Sequence, residues 1–244
     1  GTRAGAALTR TNYDLGGAFS ELGASGRADI AELWTSQTVI RQRSANLSMR
    51  LFADTKRLYD ELEAVDMSTR KRTHGVGLAW NADRRDELLG GGYWSSFGSV
   101  YHGRLSLNGS AAQLDGSATG HHTAGSFTKF NAQLPRLQAI ADKHSLYVGL
   151  SAQAASKNLD PSEKVGLGGP RAVRAYPVGE VIADQAWVVT AEWRWAMTSA
   201  LTPYLFYDAA RGKLSKSPLT AETGNARSLR GYGLGVGWVR PRVL

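Results

Sequence analysis

The chain has 244 residues, with 29 Lys and Arg against 21 Asp and Glu, a formal net charge of +8, 28 glycines and no cysteine. The missing cysteine excludes a disulfide scaffold, iron–sulfur and thiolate-zinc sites and a cysteine nucleophile, and the aperiodic glycine excludes collagen. A hydrophobic fraction of 42% supports a packed domain, yet the apolar runs are only a few residues long, far short of the ~20 that a membrane-crossing helix needs.

Ten segments of alternating polarity follow one another, centred near Ala7, Ala31, Arg50, Val76, Tyr101, Phe130, Gly149, Thr190, Leu205 and Gly235. In the third, Leu47, Met49, Leu51 and Ala53 oppose Ser48, Arg50 and Asp54. In the seventh, Leu146, Val148, Leu150, Ala152 and Ala154 oppose Ser145, Tyr147, Ser151 and Gln153. The eighth sets Trp187, Val189, Ala191, Trp193 and Trp195 against Thr190, Glu192 and Arg194. Successive side chains of a strand point to opposite faces, so each segment is apolar on one side and polar on the other. The tenth alternates Tyr232, Leu234, Val236 and Trp238 with Gly231, Gly233, Gly235 and Gly237, a bare face suited to close approach of another element.

A charged face opposite an apolar one is inverted for a soluble barrel and right for a barrel with lipid outside and water inside. The segments are long enough for membrane-crossing strands of ~9–11 residues, and short connections alternate with long ones such as 155–182 and 211–227. Trp34, Tyr59, Trp94, Trp187, Tyr204 and Trp238 are expected near strand ends as interfacial girdles. The expected fold is therefore all-β, an antiparallel transmembrane β-barrel; a large soluble β protein with one polar face is the alternative. Basic residues are scattered, and the runs Arg70-Lys71-Arg72 and Arg84-Arg85 sit beside Asp66, Asp83, Asp86 and Glu87, which argues against a nucleic-acid face.

The longest connection carries the strongest local signal. It contains Ser162-Glu163-Lys164, then Gly168-Gly169-Pro170, then Val173-Arg174-Ala175-Tyr176-Pro177 and Gly179-Glu180. A solvated outer loop has no reason to gather Val173, Tyr176 and Pro177 around an arginine. The reading is a loop at 157–181 folded back into the barrel, where Arg174 needs a buried anionic partner. Gly168-Gly169-Pro170 supplies a tight turn and Pro177 stiffens the return.

This stretch resembles the lumen-plugging loop of two-partner secretion transporters, the TpsB family, with Ala175 in place of a glycine. A methyl group there is expected to disfavour a positive φ at the loop tip. The run Phe206-Tyr207-Asp208-Ala209-Ala210 resembles the family's F-x-D-x-G strand motif, again with alanine at the glycine. Weaker echoes occur at Tyr13-Asp14-Leu15-Gly16-Gly17, at Arg43-Ser44-Ala45-Asn46-Leu47 and at Gly125-Ser126-Phe127. The resemblance implies that Arg174 pairs with Asp208, and that the chain is part of a sixteen-stranded outer-membrane barrel, strands five to fourteen, without the family's POTRA domains. It implies a monomer that exports an unfolded TpsA-type exoprotein through the outer membrane without catalysis or cofactor. A barrel-assembly insertase and a passive porin are the alternatives.

Other constellations carry less. His121-His122 lie adjacent in sequence, so strand geometry would send them apart, and no metal site is expected. No Ser/His/Asp ordering stands out, and Gly90-Gly91-Gly92 lacks the Lys-Ser/Thr of a phosphate loop. Arg50 with Asp54, and Glu192 with Arg194, are expected as solvated charges lining the lumen.

Overall fold

A computed structural model describes residues 1–14, 23–62, 64, 67–219 and 223–239. Residues 15–22, which include Leu15-Gly16-Gly17 of the first weak echo, and Asp66 lie outside the described residues. The alternating segments become strands β1 (Thr2–Asp14), β2 (Ala24–Arg41), β3 (Ala45–Leu62), β4 (Met67–Asp86), β5 (Gly92–Leu107), β6 (Gly125–Ala141) and β7 (His144–Ala155). After the long loop, which contains the two-residue strands β8 (Val165–Gly166) and β9 (Ile182–Ala183), come β10 (Gln185–Trp195), β11 (Leu201–Lys213) and β12 (Ala226–Trp238). A seven-residue helix α1 (Gly109–Asp115) sits in the β5–β6 connection.

The ten long strands form one sheet in chain order, β1 to β7 and then β10 to β12, every neighbour antiparallel. Each two-residue alternation therefore stays in phase across the sheet, apart from register shifts near the strand ends between Thr38 and Ile40 and between Ala139 and Ala141. Tight connections at 42–44, 87–91, 142–143 and 196–200 share one end, and the long ones at 108–124, 156–184 and 214–225 share the other. In outer-membrane barrels the short turns are periplasmic and the long loops external. Strands β2 to β5 run for 16 to 20 residues, well beyond the ~9–11 that cross a bilayer, so they project past the apolar band.

One face of the sheet is a continuous apolar surface. Leu51, Val76 and Leu205 are 55%, 55% and 52% exposed, and Val100, Leu150 and Leu234 share that face. In water such a surface would be an anomaly, whereas against lipid it is the expected outside of a barrel. The girdle is only partly as expected. Tyr59, Trp94, Trp187 and Trp238 point outward near strand ends, but Trp34 and Tyr204 share the inner face. Their rings cover Gly5 and Gly235, respectively. At the tight-turn rim, His144 stacks on Trp193 and Trp195, completing an outward aromatic cluster.

The inner face is not uniformly wet. Two buried apolar clusters stand on it, Tyr101, Leu105, Phe127, Ala155 and Leu159 in one, and Leu167, Ala172, Val173, Val188, Ala210 and Leu229 in the other. Both form where the 156–184 loop settles on the strands. That loop touches β3, β4 and β6 on one side and β10, β11 and β12 on the other, so the sheet curves around it.

Candidate functional site

The loop is built outward from its own backbone. The Asp160 carboxylate accepts from the Ser162 amide at 3.0 Å and its hydroxyl at 2.7 Å, which fixes the 3-10 turn Pro161–Glu163 and aims Glu163 at the sheet. Glu163 is 3% exposed and lies 2.8 Å from Lys56 Nζ on β3 and 2.7 Å from Lys129 Nζ on β6. Asp160 pairs with Lys71 on β4 at 3.0 Å. Burial pushes the Glu163 carboxyl up, but Lys129 and Lys56 outweigh it and hold the group below its ordinary value. This anchor joins the loop to three strands.

Beyond it the chain forms the β8–β9 ribbon and then a tight tip. The Val173 amide donates to Leu167 O at 3.0 Å and the Gly169 amide to Val173 O at 3.2 Å. Gly169 has φ +110°, and a side chain on Gly168 would collide with the Pro177 carbonyl, so both glycines answer to backbone geometry. Pro170 and Pro177 are exposed, and Tyr176 packs half-buried against the apolar cluster. Leu167 and Val173 are fully buried.

Arg174 then reaches the sheet. Its Nε and Nη2 donate to the two oxygens of Asp208 at 2.8 Å each, and its own backbone amide adds a third donor at 3.1 Å. Nη1 donates to Glu192 at 2.7 Å, and the guanidinium carbon lies 3.7 Å from the centre of the Phe206 ring. Glu192 in turn accepts from Arg194, which lies over Tyr147. Two guanidinium groups and two carboxylates thus close a neutral network, with Asp208 at 0% exposure. Bidentate geometry and a stacked ring make this a position for arginine rather than lysine.

The structure brings Arg174, Phe206, Asp208, Glu192 and Arg194 together. Glu192 was expected as a solvated charge and is instead 8% exposed, the second acceptor of Arg174. Asp54 is likewise not solvated: its side chain is 7% exposed and accepts from the Tyr101 hydroxyl at 2.6 Å, beside Lys56 at 3.8 Å. Arg50 stands apart, paired with Glu32 and 4.6 Å over the Trp34 ring. The anchor at Glu163, Lys56 and Lys129 escaped the sequence reading, although Lys56 and Lys129 occupy inward-facing strand positions. Ala175 does not adopt a positive φ, so its methyl does not strain the tip. That methyl faces Gly231, where an added Cβ would lie only 2.8 Å away. Among the described residues, no group of three or more His, Cys, Asp or Glu is placed to hold a metal.

A family model described as haemolysin secretion/activation protein ShlB/FhaC/HecB matches residues 4–238. The chain is 26% identical to the heme/hemopexin transporter protein HuxB of Haemophilus influenzae over 97% of its length, and it spans 42% of that relative. By shape it is similar to CdiB from Acinetobacter baumannii, with a TM-score of 0.68 at 17% identity, covering 98% of this chain and 42% of that one. CdiB from Escherichia coli gives 0.65 at 18% identity, covering 88% and 40%. With an apolar convex face, in-phase antiparallel strands and an inward loop anchored on both sides, the chain belongs to the ShlB/FhaC/HecB haemolysin secretion/activation family of outer-membrane β-barrel transporters.

Proposed function

We propose that this chain is a wall of the export channel for a TpsA-type exoprotein in two-partner secretion, taking strands five to fourteen of the barrel. In this reading the barrel works as a monomer against outer-membrane lipid. The exoprotein passes extended along the concave face, where Ser145 and Ser151 offer hydrogen-bonding groups, and folding outside supplies the driving force. The observation that carries the reading is the loop itself. A passive pore gains nothing from a segment ion-paired to five strands, whereas a gated protein channel needs one set arrangement that an arriving chain can displace. Arg174 and Asp208 hold the arrangement needed for activity, and Glu163 fixes the opposite side. The approach through Ser162-Glu163-Lys164 favours secretion over membrane-protein insertion.

The test is photocrosslinking in cells secreting the exoprotein through the full-length transporter. A crosslinker at inward-facing Ser151 is expected to capture the exoprotein, and one at outward-facing Leu150 to capture none. Capture from Leu150 alone, or from neither position while secretion proceeds, would overturn the reading.

A further inference from the structure

Outside the lumen, at the end of the sheet that carries the long connections, the convex face holds an unusual concentration of positive charge. Arg27 on β2, Arg57 on β3 and Arg70 and Arg72 on β4 line an open cleft of ≈ 780 Å³ together with Asp29 and His74. The strand register shows why the concentration is unusual. Arg57 stands directly opposite Arg72, and His74 directly opposite Arg104 on β5. Like charges such as Arg57 and Arg72 facing one another across a ladder are destabilising; on its other side Arg57 faces Asp29, a single carboxylate shared among several arginines. Asp29 is already held by Arg10 at 2.5 Å and Arg27 at 3.3 Å. Among the described residues, Arg57, Arg70, Arg72 and Arg104 form no ion pair.

The position along the strand supplies the ligand. On β4 the outward residues run Arg70, Arg72, His74, then Val76, Leu78, Trp80 and Ala82, then Arg84 and Asp86. His74 and Arg84 are ten residues apart; at ~3.3 Å per residue and a tilt of ~40° they bracket roughly 25 Å, the height of the lipid-facing band of an outer-membrane barrel. The arginines therefore lie at the external lipid boundary, where cations cost little, and face sideways into the headgroup layer. Guanidinium groups on adjacent strands, whose backbones lie ~4.8 Å apart, can both donate to the oxygens of one phosphate lodged between them.

We propose that Arg27, Arg57, Arg70 and Arg72 form a binding site for the phosphorylated headgroup of an outer-leaflet glycolipid, whose acyl chains lie down the apolar strip below it. The phosphate neutralises the Arg57–Arg72 opposition, so a bound lipid completes this stretch of the wall.

The test uses the full-length transporter in neutral detergent and measures binding of bisphosphorylated lipid A, its monophosphorylated form and inorganic phosphate by native mass spectrometry and competition. The wild type is expected to hold the bisphosphorylated lipid roughly 10-fold or more tighter than the monophosphorylated one. Phosphate alone should fail to displace it at equal concentration. Arg57→Gln with Arg72→Gln is expected to remove that preference, while Arg84→Gln, a cation at the opposite rim, retains it. Equal binding of the two lipids by the wild type overturns the proposal even where a variant fails to fold. Displacement by phosphate at the same low concentration overturns it in favour of a free-anion site, and an unchanged preference in the folded double variant overturns it outright.

Discussion

Replacing Arg174 with alanine removes two side-chain donors from the buried Asp208 carboxylate and one from Glu192, and it uncovers the face of Phe206. Breaking one side of a buried ion pair costs about 3–5 kcal/mol, chiefly because the surviving charge stays buried alone. Arg174 keeps 21% of its side chain exposed, so the lower end applies, about 3 kcal/mol, or on the order of 100-fold in the docked-to-undocked equilibrium of the loop. Hydrogen exchange on the full-length protein reads this directly at the Val173 amide, which is bonded to Leu167 O only when the tip is formed. Because the penalty belongs to the orphaned carboxylate, Arg174→Ala combined with Asp208→Ala should cost about as much as either alone, a coupling of roughly 2–3 kcal/mol. Effects of the two changes that add to within ~0.5 kcal/mol would refute the reasoning, because distant, independent sites behave that way.

Gly231→Ala should loosen the loop by about 1–3 kcal/mol through collision with the Ala175 methyl, and Ala175→Gly in the same chain should restore protease resistance at 165–183. Glu163 has a carboxyl held below its ordinary value of 4.5. Its contribution is thus complete above that value and is lost as pH falls through the lowered one; protection of the loop amides near 160–166 should collapse only in that acid window, whereas Glu163→Gln should show no such step. Leu78→Arg, on the outward face within the apolar band, should cost about 2–4 kcal/mol and reduce the heat-modifiable folded fraction, while Arg104→Leu near the external boundary should leave it unchanged.

Much of the fold was legible because a strand's two-residue period survives every neighbour in an all-antiparallel sheet. Leu150 and Ser151 could be assigned to opposite faces from sequence alone, and so could Glu192 and Trp193. Trp34 misled because an aromatic on a lumenal face packs over a glycine on the next strand, here Gly5, and sequence alone does not pair those two. Arg174 was legible because an arginine amid Val173, Tyr176 and Pro177 demands a partner, but Glu192 was not recognised as a second acceptor. Its distance from Arg174 depends on how the loop lies across β10 as well as β11. The Glu163 anchor was hidden for the same reason: its partners stand 107 and 34 residues away in sequence, on strands that only the curvature of the sheet brings together. The glycine row of β12 foretold a close approach, and Ala175, Phe206 and Tyr204 are what approach it.

Secretion of the cognate exoprotein by the full-length transporter, wild type against Arg174→Ala, tests the central claim most directly, with the folded barrel quantified in the same cells by heat-modifiable migration. Export is expected to fall by at least about 10-fold while folded barrel persists. Undiminished export from a barrel whose loop has come undone would contradict it and leave the loop as a plug alone.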